Sequence, residues 1–390
     1  MKFSNRLALL NTSIFSKLDE AKQEAISQGK KVYDFTIGSP NIAPSKQIMD
    51  TMIQEVSIPT NYMYAIKDTQ EFQDSVKRYY KSRYDVQLDD GEILSLQGSQ
   101  EGLAHIALAI CDPQDYVLIP SPAYPAFKAG AILAGANIYE MPMLEEYDYL
   151  IQLDQIPQDI IEKTKMMIVS YPNNPTGANA TDEFFNELIA FAKKNQIIVV
   201  HDNAYSNLVF DGKEGKSFLY YEGAKEVGIE FNSFSKSYGM AGARIGLAIG
   251  NKEVIQALKQ LKSNIDYGMF LPIQKAAITA FDQDQSIVEE TKNTYEYRRD
   301  LLVKGLNDLG WKIKPCAATM FLWAKIPNGY TSSDDFAYEL FKKTSILVTP
   351  GSAFGNNGEK YVRIALVQDE DTILEAIQVL KESRFIAWHI

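Results

Sequence analysis

The 390-residue sequence is poor in cysteine and histidine, with two and three respectively. Cys111 and Cys316 stand far apart, outside any CxxC or Cys/His spacing, which argues against a disulfide framework and against a zinc site. Long hydrophobic runs are missing as well, since no stretch approaches the ~20 apolar residues that a membrane span needs. The N-terminal LALL run is too brief for the apolar core of a signal peptide and lacks a small-residue cleavage site. A soluble, cytoplasmic protein is therefore expected. Basic charge is in deficit: 39 Lys and Arg against 50 Asp and Glu leave a net charge of −11, which opposes general binding to nucleic acid or to an anionic membrane. Repeats, low-complexity tracts and long Pro/Gly/Ser linkers are also absent, so the domains have to be read from hydrophobic pattern.

What is present is ordinary globular composition, 46% hydrophobic and 23% charged, over a length too great for one simple core. Between about 92 and 250, β-rich runs alternate with helical ones: EILSLQ and EGLAHIALAI, DYVLIP and AFKAGAILAG, KMMIVSYP and TDEFFNELIAFAKKN, then IIVVHD, GIEFNSFS and ARIGLAIG. That alternation predicts an α/β domain with a largely parallel sheet between helices. Thr181 suits an N-cap, with Asp182 and Glu183 in the first turn where the helix dipole favours anions. From about 285 the pattern changes to a long polar helix, the strand FLWAKIP, the helix SDDFAYELFKKT, then ILVTPG, KYVRIALV and a last helix. We expect a large domain at 46–284 and a smaller α+β domain made of 1–45 and 285–390.

Chemistry concentrates in the stretch NSFSKSYGMAGARIG, where Lys236 lies between two serines and Arg244 follows eight positions later. A lysine becomes a covalent catalyst when burial or nearby cations favour its neutral amine. Ser233 and Ser235 offer hydroxyls, Gly239 and Gly242 permit close approach, and Arg244 adds a fixed positive charge. A surface lysine in a Gly/Ser loop is the plain alternative. Elsewhere, EILSLQ runs through Gly98, Ser99 and Gln100 into a helix, the arrangement whose N–H groups bind a phosphate. PNNPTG presents an amide on a rigid loop. HDNAY ends an apolar strand with Asp202, where parallel sheets bind ligands.

GSQEGL, SPAYP, NNPTG, HDNAY, SFSKSYGMAGARIG and YVRIAL occur in the order found in class I/II aminotransferases, the pyridoxal-phosphate (PLP) enzymes of fold type I, and the chain resembles that family over nearly its whole length. It looks closest to the branch with alanine, aspartate and LL-diaminopimelate aminotransferases. The resemblance implies Lys236 as the Schiff-base lysine that also shuttles a proton, and Asp202 as partner of the pyridinium nitrogen. Asn174 and Tyr205 would bind the phenolic oxygen, and Tyr124 would stack on the ring. Ser99, Gln100, Ser233, Ser235 and Arg244 would hold the phosphate. Arg363 in KYVRIAL would grip the substrate α-carboxylate, with Asn174 beside it and the backbone of Gly38 touching the same group. Family members are commonly homodimers in which a neighbouring tyrosine reaches the phosphate; Tyr62 and Tyr64 both fit, and Tyr64 is taken.

The implied reaction moves the amino group of an L-amino acid to a 2-oxo acid such as 2-oxoglutarate or pyruvate, by ping-pong chemistry. No metal is expected. The same fold also serves C–S β-lyases and decarboxylases, which form the alternative within it. Ser233 to Lys236 fits S-x-x-K of serine acyl-enzymes too, but the SDN and KTG partners of that class do not occur. DGKEGKS fails as a P-loop because Gly212 and Gly215 are too close. Departures from the family pattern, Asp68 for a usual glycine and Ala243 for a usual tryptophan, leave the donor amino acid open.

Overall fold

A computed structural model describes residues 3–10 and 16–386. Twelve strands occur among them: β1 (Tyr33–Asp34), β2 (Ile93–Leu96), β3 (Tyr116–Ser121), β4 (Asn137–Pro142), β5 (Thr164–Val169), β6 (Ile198–Asp202), β7 (Gly228–Ser233), β8 (Gly246–Gly250), β9 (Phe321–Lys325), β10 (Ile346–Leu347), β11 (Thr349–Pro350) and β12 (Tyr361–Ala365). Seven of them form the main sheet in the order β2-β8-β7-β6-β5-β3-β4. All its pairings are parallel except those of β8, which runs antiparallel to both β2 and β7.

The inner strands, and the edge strand β2, are buried along nearly their whole length, which explains why ILSL, TKMMIV and GLAIG read as nearly continuous buried runs rather than as alternation. Their period of two sorts side chains between two cores. Met167, Val169 and Val199 pack on one face with Phe185 and Leu188, while Met166, Ile168 and Val200 pack on the other with Leu103 and Ile106. The edge strand β4 is only partly buried. The expected cap is present: Thr181 Oγ1 accepts from the N–H of Phe184 at 3.2 Å and starts the helix Asp182–Asn195.

A third core gathers Phe321, Leu322, Val362, Ile364, Leu340 and Phe336 from the C-terminal part of the chain with Tyr33 and Phe35 from its N-terminal part. There β9, β12 and β11 pair antiparallel. β1 adds in parallel to β10, and the Phe35 N–H donates to the Leu347 carbonyl at 2.8 Å. The long polar helix spans Ser286–Asp308. No helix among the described residues is long and apolar enough to cross a membrane.

Candidate active site

The carboxyl ends of β3, β5, β6 and β7 open into a cavity of about 530 Å³. Ser99, Gln100, Tyr124, Asn174, Asp202, Tyr205, Ser233, Ser235, Lys236, Arg244, Arg363 and Gly38 all line it.

At one end, Gly98 takes φ +79 and turns the chain from β2 into the helix Ser99–Ile110, whose first turn no side chain caps. A helix start of this kind offers N–H donors and a positive dipole to an anion. Across from it, Phe234–Ser237 forms a single helical turn, and Ser233 Oγ accepts from the Ser235 N–H at 3.2 Å. Arg244 completes this end. It holds the left-handed backbone conformation, φ +53, which costs a non-glycine residue energy and is kept where the surroundings dictate it. Its guanidinium lies over Gly98 so closely that a Cβ there would sit 2.4 Å from Nη2.

In the middle, Lys236 Nζ donates to the Gly38 carbonyl at 2.7 Å. Burial pushes its ammonium down from 10.5 to about 8, helped by the charges of Arg363 and Arg244 and opposed by Asp202. Near-neutral pH thus leaves an appreciable share of neutral, nucleophilic amine. Asp202 ends β6, and its Oδ1 is buried without a hydrogen-bond partner. Burial raises its carboxyl to about 6 against the opposing charges of His201 and Lys236. Tyr205 is pushed strongly upward by burial and by Asp202, so it remains a phenol. Tyr124 donates to Gln100 Oε1 at 3.3 Å.

The other end is built by packing. Arg363 on β12 lies between two phenyl rings, 4.1 Å from the Phe321 centroid and 4.8 Å from that of Phe354. Its Nη2 donates to the Thr36 carbonyl at 3.0 Å and its Nη1 to Asn174 Oδ1 at 3.1 Å, while Nε has no partner. Burial lowers it to about 10, still fully cationic at neutral pH. Asn174 reaches it from a loop held by Asn173, whose Oδ1 accepts from the N–H and hydroxyl of Thr176 and whose carbonyl accepts from the Gly177 N–H.

Twelve of the thirteen residues singled out from the sequence therefore share one cavity, and Tyr64 does not. Tyr64 is 85% exposed and lies against Tyr267, while the Tyr62 hydroxyl donates to the Val56 carbonyl. Sequence reasoning missed Ser39 and Phe321 in the lining, and Phe354 behind Arg363. Ser39 could have been found from its neighbour Gly38, but the two phenylalanines carry no local signal.

The donor set can be tested against pyridoxal phosphate. That group needs a reactive amine, an unpartnered carboxylate oxygen for its ring nitrogen, a phosphate cup and room for a ring. Lys236, Asp202 Oδ1, the Gly98–Arg244 cradle and the cavity supply these four, so the residues present fit it.

Known proteins point the same way. The family model for aminotransferase class I and II matches residues 30–380. The chain is 42% identical over 385 residues to an LL-diaminopimelate aminotransferase of Halothermothrix orenii, covering 98% of this chain and 99% of the relative. It is 41% identical over 382 residues to the enzyme of that name from Aquifex aeolicus, covering 97% and 98%. Among solved structures it resembles substrate-bound BacF from Bacillus subtilis at TM-score 0.95 and 32% identity over 99% of each chain. An aminotransferase from Staphylococcus aureus superposes at TM-score 0.90 and 35% identity, covering 98% of this chain and all of that one. The chain belongs to the class I and II aminotransferases, and is a pyridoxal-phosphate-dependent transaminase of fold type I.

Proposed function

We propose that Lys236, Asp202 and Arg363 form the working centre of this transaminase, with residues 46–284 holding the cofactor and residues 1–45 and 285–390 gripping the substrate. The observation that carries this reading is their convergence: a lysine with a depressed pKa, a carboxylate oxygen without a partner and a buried arginine face one cavity. When bound, pyridoxal phosphate supplies an aldehyde for the donor's amino group and a ring that takes up the electrons left when the Cα proton departs. Lys236 Nζ would hold the aldehyde and, when free, would take up the proton from the donor Cα. Asp202 Oδ1, buried without a partner, would accept from the ring nitrogen's N–H, and the positive charge there would favour its ionisation. Asn174 and Tyr205 would bind the phenolic oxygen, and Tyr124 would pack against the ring. Ser99, Gln100, Ser233, Ser235 and Arg244 hold the phosphate.

Arg363 binds the α-carboxylate of the amino acid and then that of the oxo acid, with Gly38 and Asn174 beside it. The two rings against its guanidinium limit its swing, so that a bound carboxylate would be held in one orientation. Tyr64 acts on a second copy of the chain. Tyr62, Met63, Ile66, Ile265 and Tyr267 are exposed with it, an apolar surface that a homodimer would cover. We place the enzyme in the cytoplasm. The donor to test first is LL-diaminopimelate, the substrate in the names of the two relatives above.

The test is spectroscopic. Purified protein is given single amino acids without an oxo acid, and conversion of bound aldehyde cofactor to its amine form is followed by absorbance. LL-diaminopimelate should convert it, and 2-oxoglutarate or pyruvate should restore it. Inertness toward LL-diaminopimelate alone would exclude that donor. Release of pyruvate and ammonia from a cysteine conjugate without an oxo acid would instead indicate C–S cleavage.

A further inference from the structure

Beneath the cavity lies a polar cluster with no part in the chemistry above. His201 and Glu230 are both 0% exposed and face each other across β6 and β7, directly in register, on the side of the sheet away from Asp202. His201 Nδ1 lies 3.2 Å from Glu230 Oε2, and Nε2 lies 2.9 Å from the Tyr171 carbonyl. Glu230 has three further contacts: the Tyr80 hydroxyl at 2.8 Å, the Ser217 hydroxyl at 2.9 Å and the Phe218 N–H at 2.8 Å.

Donor accounting fixes all but one of the protons. The Tyr80 oxygen accepts from Asn232 Nδ2 at 3.0 Å, and Ser217 Oγ accepts from the Leu219 N–H at 3.1 Å, so both hydroxyl hydrogens point at Glu230, as does the Phe218 N–H. The Tyr171 carbonyl can only accept, so His201 Nε2 carries a hydrogen. One further proton joins Nδ1 to Glu230 Oε2, and the contacts are satisfied with it on either atom.

A buried ion pair is weak support for stability, because well-packed apolar side chains of equal volume do as well or better. What it offers is geometry, and its members join the three strand ends that bear the site. Tyr171 leads from β5 into the loop of Asn174, His201 precedes Asp202 on β6, and Glu230 lies on β7 just before Asn232 and Ser233. We propose that this proton lies on His201 and that the resulting ion pair with Glu230 is a positioning unit that holds the ends of β5, β6 and β7 together, so that Asn174, Asp202 and Ser233 meet the cofactor at one geometry. It rests on the site reading given above. Neither residue lines the cavity; both would act through the strands, and His201 bears on the Asp202 carboxyl by its charge as well.

Two measurements on the full-length holoenzyme test this. First, ¹⁵N spectra of the wild-type enzyme near neutral pH should place both ring nitrogens of His201 at imidazolium positions; a neutral ring overturns the pair without touching the cofactor assignment. Second, H201Q and E230Q are resolved and retitrated with pyridoxal phosphate. Each should bind it about tenfold more weakly, the scale of one lost hydrogen bond to the group, and lose visible circular dichroism of the bound cofactor. The double variant should recover part of both. Lower melting temperatures with wild-type affinity and dichroism would reduce the pair to a merely structural role and overturn the proposal. Should the single variants fail to fold, Tyr80→Phe removes one donor to Glu230 and is read the same way, with unchanged dichroism counting against us. A wild-type protein that binds no cofactor would refute the functional reading instead.

Discussion

The two arginines of the cavity are fixed by opposite means. Arg244 is exposed in this chain and owes its place to the backbone, a left-handed residue on a short connection with a glycine cleared beneath it. Arg363 is buried on ordinary strand backbone and owes its place to neighbours: two phenyl rings, a carbonyl from the N-terminal segment and the amide of Asn174. On the proposed roles, the difference suits the ligands: a phosphate that stays through many turnovers would sit on a rigid turn, and a carboxylate that comes and goes twice per cycle would meet a side chain that can be released and regripped without rebuilding the main chain.

Lys236 stands between the two, and removing it separates what each end does alone. Lys236→Ala should lower turnover about 10⁴-fold or more while the phosphate end still binds pyridoxal phosphate; measurable steady-state activity near wild type would break the assignment. Next, Arg363→Ala should reduce kcat/KM for the amino acid about 10²- to 10³-fold with cofactor affinity nearly unchanged. Arg363→Lys should recover little, since an ammonium lacks the flat face that two rings clamp. Equal loss of cofactor and substrate binding would erase the distinction between the ends.

Acid–base linkage sharpens it further. Lys236 is depressed from 10.5 to about 8 in the folded protein, so between those values the unfolded chain binds the extra proton. Stability of the apoenzyme should therefore rise with pH across that window, by roughly 3 kcal/mol relative to Lys236→Met in urea unfolding, and be lost again as pH falls. Arg363→Ala should flatten this slope more than Arg244→Ala, because the charge of Arg363 weighs more on Lys236. Gly98→Ala should weaken cofactor binding about tenfold by forcing Arg244 aside and straining φ +79, read by fluorescence titration. The smallest effect belongs to Tyr64→Phe, about threefold in cofactor affinity and detectable only in the dimer. An unchanged affinity there would remove Tyr64 from the phosphate end.

The same contrast decides what could be read from the sequence. The proposed phosphate end is local: GSQ, SFSK and the arginine eight residues on each sit within one turn or connection, so the family resemblance could be read off short motifs where spacing alone left the choice open. Asp202 was legible through its place in HDNAY, since a carboxylate at a strand end is otherwise often a cap or a turn former. At the carboxylate end Arg363, Asn174 and Gly38 were visible, but not what aims the arginine. Phe321, Phe354 and Thr36 converge on it from three distant segments, and no pattern in sequence encodes a meeting of that kind. The direction of β8 was equally hidden, since a run buried on both faces reads alike in either direction.

That reversed strand has a consequence for how the lysine comes to be where it is. Parallel neighbours must be joined by a crossover that carries the chain to the far rim of the sheet and back. Because β8 runs against β7, residues 234–245 never leave the cavity rim, and they bring Lys236 and Arg244 with them. One change of heading spares the enzyme a detour, and two reactive groups travel as a single piece of chain.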